Sequence, residues 1–152
     1  MTRRGDQFPN KSVSEHMDAR AKSLLCVELA RRRRAKDVVV LDLRNLVSFA
    51  DYFVLCSGRS DRQVQAIVQH LERELKMYRF RPRSIEGYAK AQWVLMDYDD
   101  VIVHIFQKPI REFYDLEGLW SDATAVPLPP DLGGQGVEEF PDDDNEEAQQ
   151  GD

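Results

Sequence analysis

The chain is poor in reactive side chains. It has 152 residues, two cysteines and three histidines. Cys26 and Cys56 lie far apart inside apolar runs, which predicts two buried, reduced thiols and no disulfide framework. His16, His70 and His104 have no metal-ligand spacing to one another or to a cysteine, so a zinc site is not expected, and His70 falls on the polar side of its helix, where exposure is expected. Ser57 and Ser60 have no histidine nearby in sequence to complete a hydrolytic triad. No apolar run approaches the roughly 18 residues of a membrane span. Arg3 and Arg4 are followed by no apolar stretch, and Asp6, Glu15 and Asp18 interrupt any basic presequence. A cytoplasmic chain without membrane contact is the expectation.

Basic residues are missing from one end. From Ser121 to Asp152 there are ten acids and no Lys or Arg. Residues 1–17 hold three bases and two acids. Taking both ends from the 21 bases and 27 acids of the whole leaves 18 bases and 15 acids for residues 18–120. The central part is therefore near +3 while the whole chain is −6, and the low pI belongs to the tail. That tail is rich in Pro, Gly, Asp and Glu and lacks hydrophobic periodicity, so residues 122–152 are expected to be disordered. Residues 1–16 are polar and expected to be flexible. The folded domain is placed at 17–121.

Within it, apolar periodicity marks the elements. Met17, Ala21, Leu24, Leu25 and Leu29 recur at helical spacing, after a start between Ser12 and Asp18 where Ser12 and Glu15 have capping-box spacing. That helix is expected to end in the basic run Arg31–Lys36, whose charge suits the macrodipole. Strands follow at Val38–Leu43 and Asp51–Ser57. Gly58 breaks the second, and Ser60 with Gln63 opens a helix striped by Val64, Ile67, Val68, Leu71, Leu75 and Tyr78. Ser84–Glu86 reads as a short strand. Gln92–Tyr98 and Val101–Gln107 read as strands around a tight turn at Asp99 and Asp100. Pro109 begins a short helix carrying Ile110, Phe113, Leu116, Leu119 and Trp120. The order predicts one α/β domain, a mixed β-sheet with flanking helices.

The hairpin has two different faces. A two-residue turn sets Tyr98 opposite Val101, Met96 opposite Val103 and Val94 opposite Ile105, an apolar side that belongs to the core. The other side pairs Asp97 with Ile102, Leu95 with His104 and Trp93 with Phe106. A helix of the same domain could cover it. An exposed docking patch is the other reading, favoured because a carboxylate and an imidazole fit poorly in a dry core.

Two patterns invite a catalytic reading. Asp97-Tyr98-Asp99 is a D-x-D at a strand end, and Cys56 to Ser60 is a small-residue turn, together reminiscent of a nucleotidyltransferase metal and phosphate site. The turn has one glycine and no lysine to cradle a triphosphate, so a turn acid and a helix cap explain it more simply. The run Arg31, Arg32, Arg33, Arg34 is either a solvated helix end or a minor contact to an RNA backbone, for which the acidic tail would compete.

Longer stretches are more specific. Ala50 to Ser60, Arg62-Gln63-Val64, Glu86-Gly87, Trp93 to Phe106 and Arg111 to Trp120 closely resemble the ribosomal silencing factor family, also called Iojap or RsfS, in the right order over about residues 17–121. The resemblance implies a nucleotidyltransferase-like topology without the catalytic set, no cofactor and no enzymatic turnover. It implies binding to the large ribosomal subunit through ribosomal protein fourteen, steric block of subunit joining, and repression of translation when nutrients are scarce, with a role in large-subunit assembly as the rival. The pairing register puts partner contacts at Trp93, Leu95, Asp97, Ile102, His104 and Phe106, with Asp99 at the rim; the resemblance matches the family's docking tryptophan to Trp93 and its partner strand to Asp97–Phe106, and adds Arg111. A homodimer is left open. Gly118 stands where a helix former is expected.

Overall fold

The computed structural model describes residues 17–131. Helix α1 spans Ala19–Arg32, with Asp18 as its N-cap accepting from the Ala21 amide at 2.8 Å. The Ser12–Glu15 pair lies outside the described residues. Strands β1 (Lys36–Asp42) and β2 (Tyr52–Gly58) follow, then helix α2 (Asp61–Met77). Strands β3 (Ser84–Glu86), β4 (Trp93–Asp97) and β5 (Val101–Gln107) lead to helices α3 (Lys108–Tyr114) and α4 (Leu116–Leu119), and strand β6 (Thr124–Ala125) closes the series.

The six strands form one sheet in the order β3-β4-β5-β2-β1-β6. Strands β2 and β5 run parallel at its centre, and every other pair is antiparallel. All seven residues of β2 are buried, as expected for a strand covered on both faces. Helices α1 and α2 cover one face. Leu25, Cys26, Leu29, Val64, Ile67 and Leu71 pack there on Val40, Val54, Val94, Met96, Val103 and Ile105. Burial pushes both cysteine thiols up to about 12, so they are inert core groups. The α2 stripe is apolar as expected, and Ser60 accepts from the Gln63 amide at 3.0 Å while the Gln63 side chain accepts from the Arg59 amide at 2.8 Å.

Four expectations need correction. The basic run does not end one helix: Arg33 caps α1, Arg34 turns at φ 64°, and Lys36 already belongs to β1. The C-terminal helix is two helices, broken at Asp115, which sits in the left-handed region at φ 47°. Its carboxylate accepts from the Gly118 amide and occupies the space a Cβ at Gly118 would need, so glycine fits there. His70 is buried rather than exposed. The fold also continues past residue 121. Thr124 and Ala125 pair with Asp42 and Leu41, Val126 donates to the Val40 carbonyl at 2.8 Å and is buried, and Arg31 donates to the Pro129 carbonyl at 2.7 Å. A two-residue strand is too short to leave a periodic signal.

Candidate docking surface

The second face of the sheet is covered unevenly. Over β2, β5 and β1 it carries Leu41, Leu43, Phe53, Leu55, Ile102 and Phe106, which pack with Leu116, Ile110 and Trp120 from the C-terminal helices and beyond, and with Val47 from the loop after β1. Toward β4 the cover thins. Trp93, Leu95 and Asp97 are half-buried, whereas Ile102, His104 and Phe106 beside them are buried. The register is as expected, with Trp93 opposite Phe106, Leu95 opposite His104 and Asp97 opposite Ile102. Three of the six residues thus reach solvent, and the other three lie beneath them. Sequence alternation sets which side a residue faces; the helices that follow β5 decide what is left open.

Trp93 is held on several sides. Its ring stacks on Phe106 with centroids 5.0 Å apart at 28°, and the Tyr114 ring lies 5.0 Å away, tilted by 46°. Its indole N–H donates to Nδ1 of His104 at 3.1 Å. His104 is 3% exposed, and Phe53 meets it edge-on at 4.6 Å. Burial in this aromatic box lowers the imidazole pKa to about 4, so the ring is neutral and Nδ1 is free of a proton to accept the indole bond. Such fixed aromatic anchors suit the centre of an interface.

Several large apolar side chains remain exposed, of which Tyr114 touches Trp93 directly. Phe49, Phe113, Tyr114 and Leu119 are exposed, and Phe49 and Trp120 extend the ring cluster through Phe53. A depression of about 310 Å³ opens beside Trp93, lined by Glu86, Gly87, Trp93 and Leu95. Gly87 has φ +86°, and a Cβ there would meet the Trp93 carbonyl oxygen at 2.2 Å, so only glycine leaves β4 in place. Glu86 pairs with Leu95 across β3 and β4 and therefore shares its face. Reading the hairpin alone missed Glu86, whose three-residue strand gives little pattern.

Two expected contact residues have internal partners. Arg111 is buried: it donates to Ser57 Oγ at 2.9 Å and to both carboxylate oxygens of Glu117 at 3.1 and 2.8 Å. It ties α3 and α4 to the end of β2. Asp99, in the turn at φ 75°, pairs with Arg83 at 2.8 Å, and its amide donates to Asp97 Oδ1 at 2.8 Å. The D-x-D carboxylates are thereby committed to the turn, and among the described residues no group of three or more His, Cys, Asp or Glu could hold a metal ion.

The profile of the family described as "Ribosomal silencing factor during starvation" matches residues 16–152. The chain belongs to that family. The match runs to the last residue and so includes the acidic tail, which the motif resemblance had left out. The silencing factor RsfS of Bacillus subtilis is 42% identical over 96 residues, which are 63% of this chain and 81% of that protein. A crystal structure of a Chromobacterium violaceum protein superposes with a TM-score of 0.68 at 32% identity, covering 69% of this chain and 88% of that one. A mouse protein named "Mitochondrial assembly of ribosomal large subunit protein 1" is 32% identical over 123 residues, 77% of this chain and 53% of that protein. Membership supports a role in translation regulation through the ribosome and a non-enzymatic one. Among the described residues no helix is long and apolar enough to cross a membrane.

Proposed function

We propose that this silencing factor docks the Trp93 side of its sheet on ribosomal protein fourteen of the large subunit. Bound there, it sterically blocks joining of the small subunit and represses cytoplasmic translation under nutrient limitation. The observation that carries the reading is the uncovered apolar face: Trp93 is fixed by Phe106, Tyr114 and His104, yet half open to solvent. Trp93, Leu95 and Asp97 make the contact; Ile102, His104 and Phe106 support it from below. Asp99 lies at the rim, and Arg111 holds the C-terminal helices in position. The mechanism is occlusion and needs no cofactor. The sheet is consistent with a nucleotidyltransferase-like topology that lacks the catalytic set. Arg31 to Arg34 add a minor contact to ribosomal RNA.

A second reading, large-subunit assembly through the same face, is favoured by the name of the mouse relative. Co-sedimentation with purified subunits tests both. Wild type should bind the large subunit alone and prevent joining in a reassociation assay. Trp93→Ala should weaken binding by about 30-fold or more, as for an interface hot spot, with the fold retained. Binding by Trp93→Ala equal to wild type would remove this face from the site.

A further inference from the structure

The uncovered face is apolar, but its charge has one sign. Across β3, β4 and β5 this side carries Ser84, Glu86, Trp93, Leu95, Asp97, Ile102, His104 and Phe106: two acids, a neutral imidazole, and no Lys or Arg. The two acids differ in what they already hold. Asp97 accepts the Asp99 amide in the turn. Glu86 is exposed and lines the depression, and its carboxylate has no hydrogen bond or ion pair among the described residues. Trp93 and Leu95 line it as well, and Gly87, without a side chain, contributes bare backbone.

We infer that this depression receives a single cationic side chain, Arg or Lys, from the docking partner protein. The inference rests on the docking reading and names the chemistry of one contact within it. The aliphatic stem of such a side chain lies along Leu95 and the indole, and its charge meets the Glu86 carboxylate. The apolar lining packs the stem, and the carboxylate supplies an ion pair. The depression of about 310 Å³ has room for one long side chain. The indole is preorganised: stacking on Phe106 and the bond to His104 fix the ring before binding, which lowers the ordering cost of docking. His104 acts here as a positioning residue, since it is buried beneath Trp93.

The test is a binding titration of the full chain on purified large subunits at low and high salt, with Glu86→Gln, Glu86→Lys and Trp93→Ala. Glu86 is exposed on an edge strand, so its variants should keep the wild-type melting temperature. Glu86→Gln should bind about five- to tenfold more weakly at low salt, with the gap closing at high salt as the ion pair is screened. Glu86→Lys should bind more weakly still. If both Glu86 variants bind like wild type while Trp93→Ala fails, the cationic contact is wrong and docking stands. If Glu86→Gln is weakened equally at every salt, the pocket takes a neutral side chain and the inference is overturned. If Trp93→Ala also binds like wild type, the docking reading falls and takes this contact with it.

Discussion

Acidification should destabilise this protein through His104, and the size of the effect follows from its surroundings. The imidazole is 3% exposed and packed against Phe53, Trp93 and Phe106. Burial lowers its pKa from 6.5 to about 4. The unfolded chain therefore takes up the proton near pH 6.5, while the folded chain resists until about pH 4. Between those values the unfolded state binds more protons, so stability is complete above the upper value and falls as pH drops. The loss is about 2 kcal/mol by pH 5 and about 3 kcal/mol once the folded-state pKa is passed. Protonation at Nδ1 also removes the acceptor for the Trp93 indole. Urea unfolding at pH 7.5 and at pH 5 measures this, with His104→Gln as the control. Glutamine keeps an acceptor and cannot titrate. Other groups titrate equally in both proteins, so the wild type should lose about 2 kcal/mol more than the variant between the two pH values. An identical loss in both would refute the assignment of a depressed, buried imidazole.

Three further outcomes follow from the packing. Arg111→Met leaves Glu117 unpaired and Ser57 without its donor, and should cost about 2–3 kcal/mol in chemical denaturation; no change would show that the clamp is idle. Gly118→Ala should cost about 1 kcal/mol by displacing the Asp115 cap, read as a lower melting temperature. Truncation after Ser121 removes β6 and uncovers the site of Val126, so it should be about 2 kcal/mol less stable than truncation after Asp131, which keeps both. Equal midpoints for the two truncations would mean that the strap on β1 adds nothing to stability.

The hairpin shows how far residue order reaches. Alternation with a two-residue turn predicts every pair from Trp93–Phe106 to Asp97–Ile102, because the side-chain period of a strand leaves no other register for Val94, Met96, Val103 and Ile105 to share a core. The Ser60 cap and the α2 stripe are legible for the same reason: both are interactions within a few residues of each other. Coverage is another matter. Ile102, His104 and Phe106 are buried because Phe53 on the neighbouring parallel strand, and Ile110 and Leu116 after β5, pack over them; Phe53 is distant in sequence and Leu116 follows the helix break at Asp115. The break itself comes from Asp115 folding back on Gly118, a local event that a continuous apolar stripe conceals.

Sequence alone determined the central elements, the hairpin register and the family to which the motifs point. These depend on short-range periodicity and on residue types in order. Only the tertiary structure decided which half of the mixed face is open, that Arg111 points inward to Ser57 and Glu117, that His104 supports Trp93 from below, and that Thr124–Ala125 extends the sheet. Each of these depends on contacts between residues distant in the chain or on a local fold-back that leaves no periodic trace. Burial of a side chain is a property of what packs over it, and the neighbours of Trp93 are set by how β3, β5 and α3 come together.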